Sequence, residues 1–472
     1  MPPPEINLLT APRGLVIAPA GCGKTQLIAD ALLRYEGDKP ILILTHTNAG
    51  VVALRNRMDR AGIRRSKYYL TTIDGWAIRL INTFPLRSGH DPTIVTGQRP
   101  NYDTIRIAAF NLLKAKHIND VLSATYARIF VDECQDCSKN QFAIIYYAAV
   151  SLPTILMGDE MQAIFGFGND GLADWKDHVC KYFPLLGELT TPWRWINADS
   201  EQLGRWLLQV RTDLQDGKGI DLRLSPEAVS WVQIDGGAND RTKLLESCRI
   251  LAANNGGVLI IGDSTNPTSQ RQFASQTPGA ITVEAVDLRD LVAFANDFDL
   301  NSDDALVRIV RFAQSLMTNV GPTELINRIN SLQKGTAKKP ANDIETAAIS
   351  FLGERKHSNV RTLLAEINKA AGVRVYRPDV LHCCIRALRV CDAGAINFHD
   401  AAIQMREQNR LLGRPLPKRA VGSTLLLKGL EAEVVVILNG DTLNAKNLYV
   451  ALTRGAKRIV VCSKSPILGK AQ

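Results

Sequence analysis

The chain has 472 residues, 46% hydrophobic and 22% charged, with a formal net charge of +9 and a pI near 9.1. These proportions exclude disordered and collagen-like classes, and the length exceeds one ordinary core, so at least two domains are expected. The basic balance suits a polyanionic partner but is mild over this length and decides nothing alone.

No uninterrupted apolar run reaches the eighteen or so residues of a membrane helix. The stretch 142–157 comes closest, and Pro153 breaks it. The opening "MPPPEINLLTAPRG" has no charged segment ahead of an apolar core, so no secretory signal is read there and a cytoplasmic location is expected. Nine cysteines are scattered singly apart from Cys134/Cys137 and the doublet Cys383–Cys384. Without a second C-x-x-C or a histidine pair, reduced thiols are expected rather than a structural metal.

In chain order, the first informative stretch is "GLVIAPAGCGKTQLIADALL". An apolar run at Leu15–Ile17 predicts a strand; small residues then predict a turn, and an amphipathic pattern from about Lys24 predicts a helix. Strand, small-residue loop and helix form the setting of a phosphate-binding loop, in which backbone N–H groups and the helix N-terminus wrap an anion. Ala20, Gly21, Cys22, Gly23, Lys24, Thr25 and Gln26 are the candidate nucleotide-binding residues. Lys24 supplies a cation to the phosphates, the Thr25 hydroxyl is a ligand for Mg²⁺, and Gly21 and Gly23 keep side chains off the anion. The strict pattern asks for Gly at position 18, where this chain has Ala18.

A second apolar run, Ala127–Val131, ends in Asp132-Glu133 within "IFVDECQDCSKNQ". The stretch reads either as a thiolate pair or as an acidic pair closing a strand. A phosphate loop upstream favours the second: a parallel sheet brings the carboxylate of Asp132 to Mg²⁺ at the strand's C-terminal edge, and Glu133 orients or deprotonates the attacking water.

These two stretches, "APAGCGKT" and "VDECQD", resemble the first two motifs of superfamily 1 helicases of the UvrD/Rep/PcrA group, and further matches follow in the family's order. "LTHTNAGVVALRNRM" and "TTIDGWAIRLI" are similar to T-F-T-N-x-A-A-x-x-M and T-F-H-S-F-A-x-x-I. "MGDEMQAIFGF" resembles V-G-D-x-x-Q-S-I-Y-x-F, and "LTTPWRW" stands where the family has L-x-x-N-Y-R. "STLLLKGLEAEVVVIL" and "NLYVALTRG" complete the series as T-x-H-x-x-K-G-L-E-x-x-V-V-x-L and L-L-Y-V-A-x-T-R-A.

The resemblance implies ATP and Mg²⁺ as cofactors, single-stranded DNA as partner, and catalytic roles for Lys24, Asp132, Glu133, Gln162, Arg194 and Arg454. Gln162 would couple hydrolysis to nucleic-acid grip, while Arg194 and Arg454 would stabilise charge on the transferring phosphate. Gly429 and Glu431 would reach the nucleotide from the second domain. Thr45 and Asn48 would bind DNA phosphates, and His46, in the place of the family Phe, would stack. Trp76, Phe165, Phe167 and Trp193 are candidate base-stacking aromatics, of which two are expected to serve, since aromatics in a mixed fold are mostly core.

Three departures bear on activity. No glutamine precedes the phosphate loop in "INLLTAPRG", leaving the choice of base open; Leu425 and Asp74 replace family histidines, which predicts weak strand separation. Basic clusters at Arg60–Lys67 and Arg410–Arg419 suit backbone phosphate or a solvated face equally.

The expected fold is α/β: two RecA-like parallel-sheet P-loop domains with small, mostly helical inserts. The first is expected over 1–76 and 126–185, with a helical insert at 77–125. The second is expected over 186–296 and 400–472, with a helical insert at 297–399. The leading functional expectation is an ATP-dependent 3′–5′ helicase or translocase on single-stranded DNA. The alternative is a nucleotide-sensing regulatory subunit of an anti-phage nuclease complex, because the short inserts and the T-x-D-G-aromatic variant resemble the helicase subunit of the Gabija system.

Overall fold

The computed structural model describes residues 6–96, 100–166, 170–253, 256–394, 396–411 and 417–470. Phe167 and residues 412–416 of the second basic cluster lie outside the described residues. The strands are β1 (Arg13–Ile17), β2 (Ile41–Thr45), β3 (Tyr68–Thr72), β4 (Ile129–Val131), β5 (Thr154–Gly158), β6 (Leu185–Glu188), β7 (Ile220–Asp221), β8 (Val229–Gln233), β9 (Val258–Ile261), β10 (Ile281–Thr282), β11 (Arg419–Gly422), β12 (Ala432–Ile437), β13 (Gly455–Ser463) and β14 (Ile467–Leu468). They form two six-stranded sheets flanked by helices, as expected of an α/β chain with two RecA-like sheets, plus the small antiparallel pair β14–β7.

The chain divides into two compact units. The first comprises Met1–Trp231, Gly440–Ile459 and Ser465–Gln472. Its sheet has the order β3-β2-β4-β5-β1-β6, and every pairing in it is parallel. β2, β4 and β5 are buried throughout, and their near-continuous apolar sequences are what a parallel sheet covered on both faces requires. One face packs on Ile28, Leu32, Leu54 and Met58; the other packs on Trp76, Leu80, Leu112 and Ile145.

The unit's extent differs from the domain boundary read at residue 185. β6 pairs in parallel with β1, so the strand expected to open the second domain extends the first sheet. The helix Glu201–Gln215 follows it into the same unit, as do Gly440–Ile459 from far downstream. Strand pairing between distant segments leaves no mark in local sequence.

Between β3 and β4 the described chain is helical, with Ile73–Thr83 and Tyr102–Lys114 its longest elements. Asp74, read as a lost DNA-facing histidine, instead makes a two-pronged ion pair with Arg106 at 2.7 Å per contact, and Gln141 Nε2 donates to it at 3.0 Å. This ties the inserted helix to Ile73–Thr83 and to Lys139–Ala148.

The second unit is Val232–Asn439 with Val460–Lys464, and the second sheet has the order β10-β11-β9-β12-β13-β8. The pairings of β11 with β10 and β9, and of β12 with β9, are parallel. A separate helical core built on Leu291, Ile309, Phe351, Leu364, Ala387 and Ala402 fills the stretch from Arg289 to Leu411. The helix Pro322–Gln333 is followed by the next helix, which Asn342 caps with Glu345 in a reciprocal box. No helix among the described residues is long and apolar enough to cross a membrane.

Candidate functional site

β1 leads into a tight loop and then the helix Lys24–Arg34. Gly21 and Gly23 sit at φ 72° and 91°, a backbone region that side-chain-bearing residues rarely occupy. Space also excludes a side chain: a Cβ on Gly21 would lie 2.5 Å from the Trp195 ring, and one on Gly23 would lie 3.0 Å from Trp193 Cδ1. The loop is therefore bare backbone facing a helix N-terminus, which is an anion site by geometry.

Strand β4 delivers the acidic pair to this loop. Lys24 Nζ lies 2.9 Å from Asp132 Oδ1 and also donates to Glu133 Oε1. Burial alone would lower the Lys24 pKa, but the charges of Asp132 and Glu133 outweigh it and hold the ammonium above its ordinary range. Asp132 shows the converse: burial raises its pKa, Lys24 opposes, and the neighbouring Glu133 charge adds to the rise. Glu133 itself stands at φ 57°, a left-handed conformation unusual for a residue with a side chain.

Asp132 with Thr25 provides a carboxylate and a hydroxyl, the hard oxygen donors that Mg²⁺ takes. The two cysteines beyond them are buried free thiols. Burial pushes the pKa of both upward, so they stay protonated and make poor metal ligands. No group of three His, Cys, Asp or Glu side chains able to hold a metal is found among the described residues.

Three residues that sequence reasoning missed, Tyr449, Asp159 and Arg211, frame the loop. The Ala20 N–H donates to the hydroxyl of Tyr449, 3.2 Å away and fully buried. Asp159, wholly buried after β5, is paired with Arg211 at 2.9 Å, and Arg211 also reaches Glu188 at 3.0 Å. Tyr449 lay inside a quoted motif but was not singled out; Arg211 carried no motif, and only its position on the helix Glu201–Gln215 brings it in.

The expected catalytic arginines both fall in the first unit. The Arg194 backbone N–H donates to Gly21 O at 3.0 Å, and its guanidinium donates to Thr453 O at 2.6 Å. Arg454, expected from the second domain, belongs to the first unit and is buried, with Nε donating to Val450 O at 2.9 Å. Gln162 is buried, and its amide donates to Asp159 Oδ2 at 3.0 Å. Gln26 is turned from the loop: its amide bridges Asp30 and Arg57, joining two helices. Cys22 is buried within the loop, where burial and then Asp159 push its thiol up to about 12. Gly429, at φ 82°, and the exposed Glu431 lie in the second unit.

The candidate DNA contacts divide. Trp76 is 1% exposed and sits on the inner face of its helix with Ile73, Ala77 and Leu80, so it is core and has no face to offer a base. Thr45 is buried at the end of β2, its hydroxyl against Gly50 rather than at the surface. Asn48 is exposed at the start of the next helix, and His46 meets Phe165 with ring centroids 5.0 Å apart. Trp193 is 52% exposed and stands over Gly23, beside the phosphate loop.

Comparison with curated proteins finds no match. Among solved structures, the Candida albicans Pif1 helicase is similar at 11% identity, over 95% of this chain and 91% of that one, with TM-score 0.39. The arterivirus nonstructural protein 10 helicase, solved with DNA, is similar at 9% identity and TM-score 0.36. That match covers 97% of this chain, which spans about 62% of the viral protein's length. Likenesses this remote carry no argument about chemistry. Residues 6–168, the segment holding both Lys24 and the Asp132-Glu133 pair, match the family model described as an AAA domain.

Proposed function

We propose that this chain is a DNA-stimulated ATPase motor that moves 3′ to 5′ along single-stranded DNA in the cytoplasm. The observation that carries the reading is the convergence of Lys24, Asp132 and Glu133 at a bare glycine loop on a helix N-terminus. Lys24 and the loop amides bind the phosphates, with Lys24 exchanging carboxylate partners for phosphate oxygens of the same charge sign. Thr25 and Asp132 hold Mg²⁺, which when bound neutralises charge on those oxygens. Glu133 takes the proton of the attacking water as the phosphoanhydride bond breaks. Arg194 and Arg454 supply positive charge to the transferring group, and Gly429 and Glu431 are further nucleotide contacts that the family resemblance implies.

The place of Trp193 over Gly23 supports a role at the nucleotide instead of the DNA. Thr45, buried, supports the DNA-facing loop from beneath. Asn48, His46 and Phe165 remain the candidate contacts to single-stranded nucleic acid, with Phe167 beside them in sequence. A second six-stranded sheet and the paired arginine positions favour a motor over a phosphate-loop kinase.

The test is steady-state phosphate release from each of the four nucleoside triphosphates, with and without oligonucleotide, joined to displacement of a block from either end of a single strand. Stimulation by single strands and displacement from the 5′ end only support the motor. Hydrolysis that stays silent until a partner nuclease binds supports the regulatory-subunit reading instead.

A further inference from the structure

We propose that Gln135 is a positioning residue that aims the candidate base Glu133 and fastens it to the turn following β5. The proposal rests on the hydrolytic reading of the site given above. Gln135 is 3% exposed and lies two residues beyond Glu133, in the short turn Cys134–Asp136. Its amide is used at both ends: Nε2 donates to Glu133 Oε2, and Oε1 accepts the backbone N–H of Asp159 at 3.2 Å. Reversing the amide would set its oxygen against a carboxylate and its NH₂ against an N–H, so the two partners fix one orientation.

The surroundings are shaped for this bridge. A Cβ on Gly158 would lie 2.5 Å from Gln135 Oε1 and 2.6 Å from Cys134 Sγ, so only glycine at the end of β5 leaves the amide its place. The left-handed backbone of Glu133 turns the chain sharply enough for a side chain two residues on to reach back. That conformation is strained for a residue with a side chain, and the surrounding structure must offset the strain. Asp159, the far anchor, is itself fixed by Arg211 and by Gln162.

Glu133 thus has one oxygen on Lys24 and the other on Gln135. Lys24 is the residue that phosphates engage, whereas the Gln135 contact is independent of them. It also links Glu133 through Asp159 to Gln162, on the turn that leads to Phe165. Gln135 therefore acts through Glu133, and its loss lowers turnover without weakening nucleotide binding.

Two variants of the full chain test this. Gln135→Glu keeps an oxygen for the Asp159 N–H but sets a carboxylate against Glu133; Gln135→Met keeps the length and removes both hydrogen bonds. The expected result is a kcat lower by about tenfold or more in each, with KM for the nucleotide within about threefold. Binding of a non-hydrolysable triphosphate analogue with Mg²⁺ stays at the wild-type level. Wild-type kcat in either folded variant overturns the proposal, as does a fall in kcat matched by an equal loss of analogue binding, which is the mark of a merely structural residue. Should Gln135→Met fail to fold, Gln135→Glu decides alone. Lys24→Ala runs beside them: if it hydrolyses like wild type, the hydrolytic reading falls and this proposal with it, whereas its inactivity beside fully active Gln135 variants overturns the positioning role only.

Discussion

Lys24 Nζ lies 2.9 Å from Asp132 Oδ1, and both side chains are largely withdrawn from water. Two charges desolvated together are stable only as a pair, because removing one leaves the other buried and uncompensated. Lys24→Met is therefore expected to lower the unfolding free energy by about 3 kcal/mol. Adding Asp132→Asn to Lys24→Met recovers a large part of the loss. Urea unfolding of the wild type, both singles and the double variant gives the coupling directly.

Tyr449→Phe deletes the hydroxyl that accepts the Ala20 N–H. The amide is buried in the loop, so its desolvation goes unanswered, at about 1–2 kcal/mol. Because the affected group shapes the phosphate loop, KM for the nucleotide rises along with the loss in melting temperature. A matched deletion far from the loop would move only the latter.

Arg106→Met breaks the two-pronged pair with Asp74 and strands a mostly buried carboxylate. A loss of about 3 kcal/mol is expected, together with faster proteolysis of the helical stretch around Tyr102–Lys114. Nucleotide KM stays unchanged, since none of the phosphate-loop residues is touched. Asp74→His, which restores the family residue, destabilises in the same way rather than improving activity.

His357 gives a pH signature in the second unit. Burial lowers its pKa from 6.5, with Asp392 opposing, and its ring lies 5.9 Å from Phe398. The unfolded chain therefore takes up a proton more readily than the folded one. Stability conferred by the neutral ring is fully present above pH 6.5 and is lost as pH falls through the lowered folded value. Thermal melting between pH 7 and 5 should decline more steeply in the wild type than in His357→Gln.

Trp193→Ala removes the indole over Gly23. KM for the nucleotide is expected to rise about tenfold with single-strand affinity unchanged, since one stacked base is worth about 1–3 kcal/mol. A loss of DNA affinity at constant KM would return Trp193 to the nucleic-acid surface.

What was legible in the sequence was local. The phosphate loop needs glycines at fixed spacing beside a lysine, and β4 needs an apolar run closed by its acidic pair; both requirements are met within a few residues, and the structure brings the two together. The burial of Trp76 was also written locally, in the helical spacing of Ile73, Trp76, Ala77 and Leu80. What escaped was decided by pairing across long separations. β6 joins β1, Tyr449 meets Ala20, Gln26 meets Arg57 and Asp74 meets Arg106, and no short window of sequence contains either partner's reason for being there. The same cause moved Arg454 into the first unit.

The central claim is that Lys24, Asp132 and Glu133 form one hydrolytic centre driven by single-stranded DNA. Phosphate release from ATP and Mg²⁺, measured for the wild type and Lys24→Ala with and without a single-stranded oligonucleotide, tests it most directly. The account predicts stimulation by the oligonucleotide in the wild type and a fall of about 100-fold or more in the variant. Oligonucleotide-stimulated hydrolysis that survives in folded Lys24→Ala would contradict it.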